Sequence, residues 1–248
     1  MENVPNLVTV DLCESGDVAS IADGLLDELA RAGKHATYFV PRSFAEGNAV
    51  LTRRIAERGH EVACLTSVQP AKARPYCQTF CGELAATRDA IESATGTRVR
   101  GHRNSSFAVD YESEWAYDVL VDRGFEYDSS RIPPRHVEFG YQPVPRTAHA
   151  VRRWGGTLIE VPITTTDLLS LRIRLGAPGT IRGWPMPVWS AIVSDRRARG
   201  EPVVFHLRAN ELRPRTLERA GRIVSQFDCT SIASALPALY RNAPIIES

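Results

Sequence analysis

The sequence predicts a single α/β domain in which parallel strands alternate with helices, arranged as an open sheet or as a barrel. Short apolar runs and helix-period segments alternate about seven times along the chain, the pattern of parallel strands joined by right-handed crossovers. Hydrophobic residues make up 43% of the 248 residues and charged residues 24%, an ordinary globular mix with material for one large core. No linker-like stretch and no internal repeat divides the chain, so residues 1–248 are read as one domain.

Leu7–Val10 is an apolar strand that delivers Asp11 to its C-terminal tip, with Cys13 and Glu14 in the following loop. Val18–Ala32 carries Ile21, Leu25, Leu26 and Leu29 at helical spacing and stops at Gly33. Ala36–Val40 is a strand, Asn48–Arg58 a helix and Glu61–Cys64 a third strand. Pro70 and Pro75 break Gln69–Tyr76 into a loop. Phe80–Ala94 is a helix ended by Gly96, Val99–Arg103 a strand, Glu112–Asp122 a helix and Phe125–Asp128 a strand. Arg131–Arg153 holds four prolines and no period, so it reads as a long irregular excursion. Thr157–Pro162 is a strand, while Leu168–Pro187, rich in Gly, Pro and Arg, has no clear period. Val188–Arg199, Thr216–Phe227 and Ile232–Tyr240 read as helices around a strand at Val203–His206.

The formal charge is +1, from 30 basic and 29 acidic residues, which gives no electrostatic reason to expect nucleic acid or an anionic membrane as partner. No apolar run is long enough for a membrane span and no leader pattern is visible, so a cytoplasmic chain is expected. Five scattered cysteines suggest reduced thiols: Cys77 and Cys81 read as a chance pair and Cys229 as core.

Four strand ends carry functional groups: Asp11, Arg103, Asp128 and His206. Parallel strands would bring all four to one rim, where loops carry chemistry positioned by rigid strands. There Asp11 can serve as general base, His206 as general acid and Arg103 as the charge that orients Asp11. Each residue alone also fits a structural role: a turn former, a satisfied histidine, a surface ion pair.

Several segments resemble the polysaccharide deacetylases, the NodB-homology enzymes of carbohydrate esterase family 4. They are Val8-Thr-Val-Asp11, Ala36-Thr-Tyr-Phe-Val40, Ile55–Ala63, Val99-Arg-Gly-His-Arg103 with Ser106-Phe107, Gly124–Ser130, Glu160-Val-Pro162 and Pro202–His206. The branch associated with exosortase-type polysaccharide loci is the most similar. The resemblance implies a distorted (β/α)-type barrel of about seven strands, with Asp11 as base, Arg103 as its partner and His206 as acid.

The family's metal ligands do not carry over. Its acidic ligand falls on Leu12 or Cys13, and its two histidines on Leu65 and Gln69; Ser105 stands where the motif has proline. Leucine cannot ligate and glutamine is a poor zinc ligand, so no metal or other cofactor is expected. A substitute zinc site from Cys13, Cys64 and Glu14 is the lesser alternative, as is Cys13 as a nucleophile with His206 as base. His60 and His102 read as structural. Arg172, Arg174 and Arg182 form either a solvated face or a wall for an anionic substrate, and Trp184 and Trp189 either stack on a sugar or fill core.

Substrate contacts are therefore expected from Glu14, Cys13, Asp128, Arg182 and Trp184 around the catalytic set Asp11, Arg103 and His206. The leading expectation is a metal-independent, deacetylase-like enzyme acting on a sugar or small molecule, with amide hydrolysis as the family's reaction. The alternatives are an isomerase, lyase or cyclase, a non-catalytic carbohydrate- or partner-binding relative, and a metal-dependent deacetylase with substitute ligands. A homodimer is compatible with the sequence.

Overall fold

The computed structural model describes residues 4–13, 17–68, 77–107, 113–133, 145–168 and 171–247. In chain order the first half comprises β1 (Asn6–Asp11), α1 (Val18–Ala32), β2 (Thr37–Val40), α2 (Arg42–Gly47), α3 (Ala49–Glu57), β3 (Glu61–Thr66), α4 (Cys77–Thr95), β4 (Gly101–Asn104), α5 (Trp115–Asp122) and β5 (Tyr127–Asp128). The second half comprises β6 (His149–Arg153), β7 (Gly156–Glu160), β8 (Thr165–Leu168), β9 (Leu171–Arg174), α6 (Pro178–Gly183), α7 (Met186–Ala198), β10 (Val204–Arg208), α8 (Pro214–Ser225), β11 (Cys229–Thr230), α9 (Ile232–Asn242) and β12 (Ile245–Glu247).

The main sheet runs β10–β1–β2–β3–β4–β5–β7–β6–β12, with β11 beside the start of β1. All its pairings are parallel except the β6–β7 hairpin. Among the described residues no pairing joins β10 to β12, so the sheet is open where the resemblance implies a closed barrel. The sheet is nevertheless curled. β1 and β4 are separated by two strands, roughly 14 Å along a flat sheet at strand spacing, yet Arg103 on β4 reaches Asp11 on β1.

Strand alternation sorts the side chains into two cores. Val8, Val10 and Leu12 face the helices, where they meet Ala22, Leu25 and Leu29 of α1. Leu7, Phe39, Ala63, Leu65, Tyr127, Ile159, Val161 and Val204 face the concave side, together with Ile232, Leu236 and Leu239 of α9. On β1 the residues between the helix-facing ones, Thr9 and Asp11, therefore point into the concavity.

Helix boundaries follow local chemistry. Asp17 caps α1 by accepting from Ser20 N, and Gly33 ends it in the left-handed region. The helix expected at Asn48–Arg58 is α3, and a short helix not expected from the sequence, α2, precedes it, the two meeting at Asn48.

The part of Arg131–Arg153 read as irregular contains β6 at its end; residues 134–144 lie outside the described set. Leu168–Pro187 holds β9, which pairs antiparallel with β8 just before it to form the β8–β9 hairpin, and α6. After that hairpin, Leu175 accepts from His206 N at 3.0 Å. Gly176 (φ 100°) makes this approach possible, since a Cβ there would overlap the His206 carbonyl. No helix among the described residues is long and apolar enough to cross a membrane.

Candidate functional site

Three side chains from distant parts of the chain meet at the C-terminal ends of the strands. Asp11 Oδ1 accepts from Arg103 Nη1 at 2.6 Å, and Asp11 Oδ2 lies 2.9 Å from His206 Nε2. Arg103 also donates to Thr9 Oγ1 (3.2 Å), Ser129 O (2.9 Å) and Ser129 Oγ (2.6 Å), and its guanidinium lies 3.9 Å over the Phe39 ring. All three side chains are fully buried.

Arg174 Nη1 lies 2.8 Å from His206 Nδ1. Guanidinium can only donate, so Nδ1 must accept and the ring proton must sit on Nε2, from which it is donated to Asp11. His206 is thereby held as one neutral tautomer. Burial pushes its pKa down to about 4, with Arg103 and Arg174 adding to the effect and Asp11 opposing it. Burial alone would raise the Asp11 carboxyl, but Arg103 and His206 hold it well below the usual carboxylate range.

This geometry is poorly matched to acid–base catalysis as it stands. A general base works best with a pKa near the operating pH, and a general acid needs a proton to give. Asp11 has each oxygen engaged and a depressed pKa; His206 is neutral and its proton is committed to Asp11. A reacting atom would have to sit between two groups that already touch.

The other expected site residues separate. Asp128 is not at this site. It lies one residue out of phase with Ser129, faces the helices, and its Oδ1 is 2.7 Å from His102 Nδ1 and 2.7 Å from Ser130 Oγ, fully buried. The strand-end position was right, but the period-2 pleat turns its side chain to the opposite face. His102 shares that face, 2.8 Å from Thr66 Oγ1 and edge-on to Phe80. His60 accepts from Ala36 N through Nδ1 and packs against Tyr38, a structural role.

Arg182 is exposed on α6. Trp184 packs 5.5 Å from the buried Trp189. No hydrogen bond, ion pair or ring contact joins either Arg182 or Trp184 to the Asp11 group. Glu14 lies outside the described residues.

Cys13 packs partly exposed against the concave core, whereas Cys64 is buried in the helix-facing one. Burial and the Asp11 charge push the Cys13 thiol up to about 11, so it stays protonated at neutral pH and is a weak nucleophile and ligand. Burial raises Cys64 further still.

The donor set does not fit the family's metal. Leu65 stands in register with Arg103 on the concave face, and Leu12 is buried against the helices. Gln69 lies outside the described residues. Among the described residues no group of three or more His, Cys, Asp or Glu side chains is placed to hold an ion.

Two residues at the mouth were not singled out from the sequence for this site. Arg208 follows His206 by two, so strand alternation puts it on the same face, and this spacing was readable in advance. Phe107 adopts a left-handed backbone (φ 53°), and its ring lies 5.3 Å from the His206 ring and 5.7 Å from the Arg103 guanidinium. Arg174, read only as part of an Arg-rich stretch, proves to be the partner that fixes the His206 tautomer.

The polysaccharide deacetylase family model matches residues 7–114, and a domain of unknown function (DUF3473) matches residues 129–235. No curated protein matches the chain. Among solved structures, a nominal polysaccharide deacetylase from Mycobacterium smegmatis is similar at 15% identity and a TM-score of 0.67, covering 98% of this chain and 94% of its own. The PuuE allantoinase is similar at 12% identity and a TM-score of 0.69, covering 96% and 90%. A CE4-family pseudoenzyme from Bacillus anthracis is similar at 13% identity and a TM-score of 0.57, covering 95% and 66%. At these identities the structural likeness speaks for the fold, and the family match for a deacetylase-like hydrolase scaffold. Residues 7–114 thus match the polysaccharide deacetylase family model, and the chain shares its fold with solved structures named as polysaccharide deacetylases.

Proposed function

We propose that this chain uses the deacetylase scaffold to bind a carbohydrate at the strand-end mouth without hydrolysing it. One observation carries the reading: Asp11 and His206, which the family resemblance casts as base and acid, are fully buried and bonded to each other at 2.9 Å. Leu65 at one metal-ligand position of the family, and Leu12 or Cys13 at another, support it. General acid–base help alone contributes only about 10²–10⁴-fold, far short of what amide hydrolysis needs. The existence of a similar fold in a CE4-family pseudoenzyme shows that the scaffold can persist without turnover.

A second reading, metal-independent hydrolysis, is favoured by the convergence of Asp11, Arg103 and His206 at one rim. It requires the cluster to open when substrate enters. Acetate release from N-acetylglucosamine oligomers, with and without added zinc, separates the two. The binding reading expects no release above the blank from either the parent or Asp11→Asn. Release by the parent that Asp11→Asn abolishes would establish the hydrolytic reading.

A further inference from the structure

We infer that the mouth recognises an acidic sugar, its carboxylate held by Arg208. This deepens the carbohydrate-binding reading and rests on it.

Arg208 stands in register with Asp11, so it rises from the same concave face at the top of the strands. Its contacts are few for a guanidinium with five N–H donors. Nη2 reaches Ser105 O at a long 3.3 Å, and Nη1 lies 3.7 Å from Glu211 Oε1. Among the described residues the buried Nε has no hydrogen-bond partner. The side chain is 28% exposed and its guanidinium lies 5.5 Å from the Phe107 ring centre. Arg174, by contrast, is committed: one arm holds His206 and the other donates to Glu211 Oε2 at 2.7 Å.

The local charge points the same way. Among the described residues, Arg103, Arg174 and Arg208 face the carboxylates Asp11 and Glu211, and His206 is neutral, leaving one positive charge in excess. Arg103 and Asp11 are sealed below. The excess therefore resides on Arg208, at the solvent side of the mouth. A planar carboxylate supplies two oxygens that match the parallel N–H groups of a guanidinium. A neutral acetamido sugar offers only a single carbonyl oxygen and leaves the charge uncompensated.

Calorimetric titration of the full chain tests this, with an oligogalacturonate and a neutral N-acetylglucosamine oligomer as probes. The acidic oligomer is expected to bind at least about tenfold more tightly, a preference that salt weakens. In Arg208→Gln the preference should fall to within about twofold, while Arg208→Lys, which keeps the charge without the fork, should retain part of it. If Arg208→Gln does not fold, the salt dependence and the Lys variant decide. Equal affinity for both probes, or a preference that Arg208→Gln leaves intact, overturns the inference. Binding of the neutral oligomer alone overturns it while sparing the carbohydrate-binding reading; binding of neither removes both.

Discussion

Replacing Arg103 by methionine is expected to lower the unfolding free energy by about 3–5 kcal/mol, the usual consequence of leaving a buried charge without its partner. The substitution removes four donated hydrogen bonds and the cation over Phe39. It leaves Asp11 fully buried with only the neutral His206 to compensate it. Urea unfolding at pH 7 reads the effect as a lower midpoint with an unchanged slope. Removing both charges in Asp11→Leu/Arg103→Met should recover most of the loss, because a buried ion pair is often worth no more than an apolar pair of similar volume. The result also discriminates between the two functional readings. Residues held for chemistry tend to cost stability, so truncating them is often neutral or stabilising. A loss smaller than about 1 kcal/mol for Arg103→Met would mean that the cluster does not hold the fold together.

The second large effect is on pH dependence. His206 is held at about 4 in the folded state, below the ordinary histidine value near ~6.5. The unfolded chain therefore takes up a proton that the folded chain refuses. His206 contributes its full stability above about pH 6.5 and loses it as pH falls toward 4. The separation of the two values is worth about 3 kcal/mol across that window.

Other groups titrate in the same range. His60 and His149 are also lowered to about 4 by burial, whereas burial raises Glu61 and Glu160, which act with the opposite sign. Measuring the parent against His206→Gln cancels these, since all four are present in both. The stability difference between the two proteins should shrink by about 1 kcal/mol per pH unit between pH 6 and 4.5. A difference that stays constant over that range would show that His206 titrates alike in folded and unfolded chains. Asp11 adds a separate loss at lower pH. Its depressed folded pKa makes its contribution present above the ordinary carboxylate range and lost below it.

How much of this was legible in the sequence depends on distance along the chain. The alternation of strand and helix was plain, because period-2 and period-3.6 patterns are local. The meeting of Asp11, Arg103 and His206 was also legible, because each ends a strand of a parallel series. Asp128 failed for a local reason: its neighbour Ser129 takes the inward position, and the parity of a two-residue strand cannot be read without its register. β12 and the β8–β9 hairpin were missed because three- and four-residue strands are too short to show a period. The open path of the sheet depends on which strands pair at its ends, which no local pattern records. The least legible feature was burial. The same three residues could line an open mouth or seal one, and the difference lies in Arg174, brought from the β8–β9 hairpin to the far side of the imidazole.

The sealed cluster depends on the state of one ring, and nitrogen-15 NMR of His206 at pH 7 reads it directly. The structure predicts a neutral imidazole with its proton on Nε2, unchanged down to about pH 5. An imidazolium, a proton on Nδ1, or a titration near the ordinary histidine value would contradict the sealed cluster and restore His206 as an available acid.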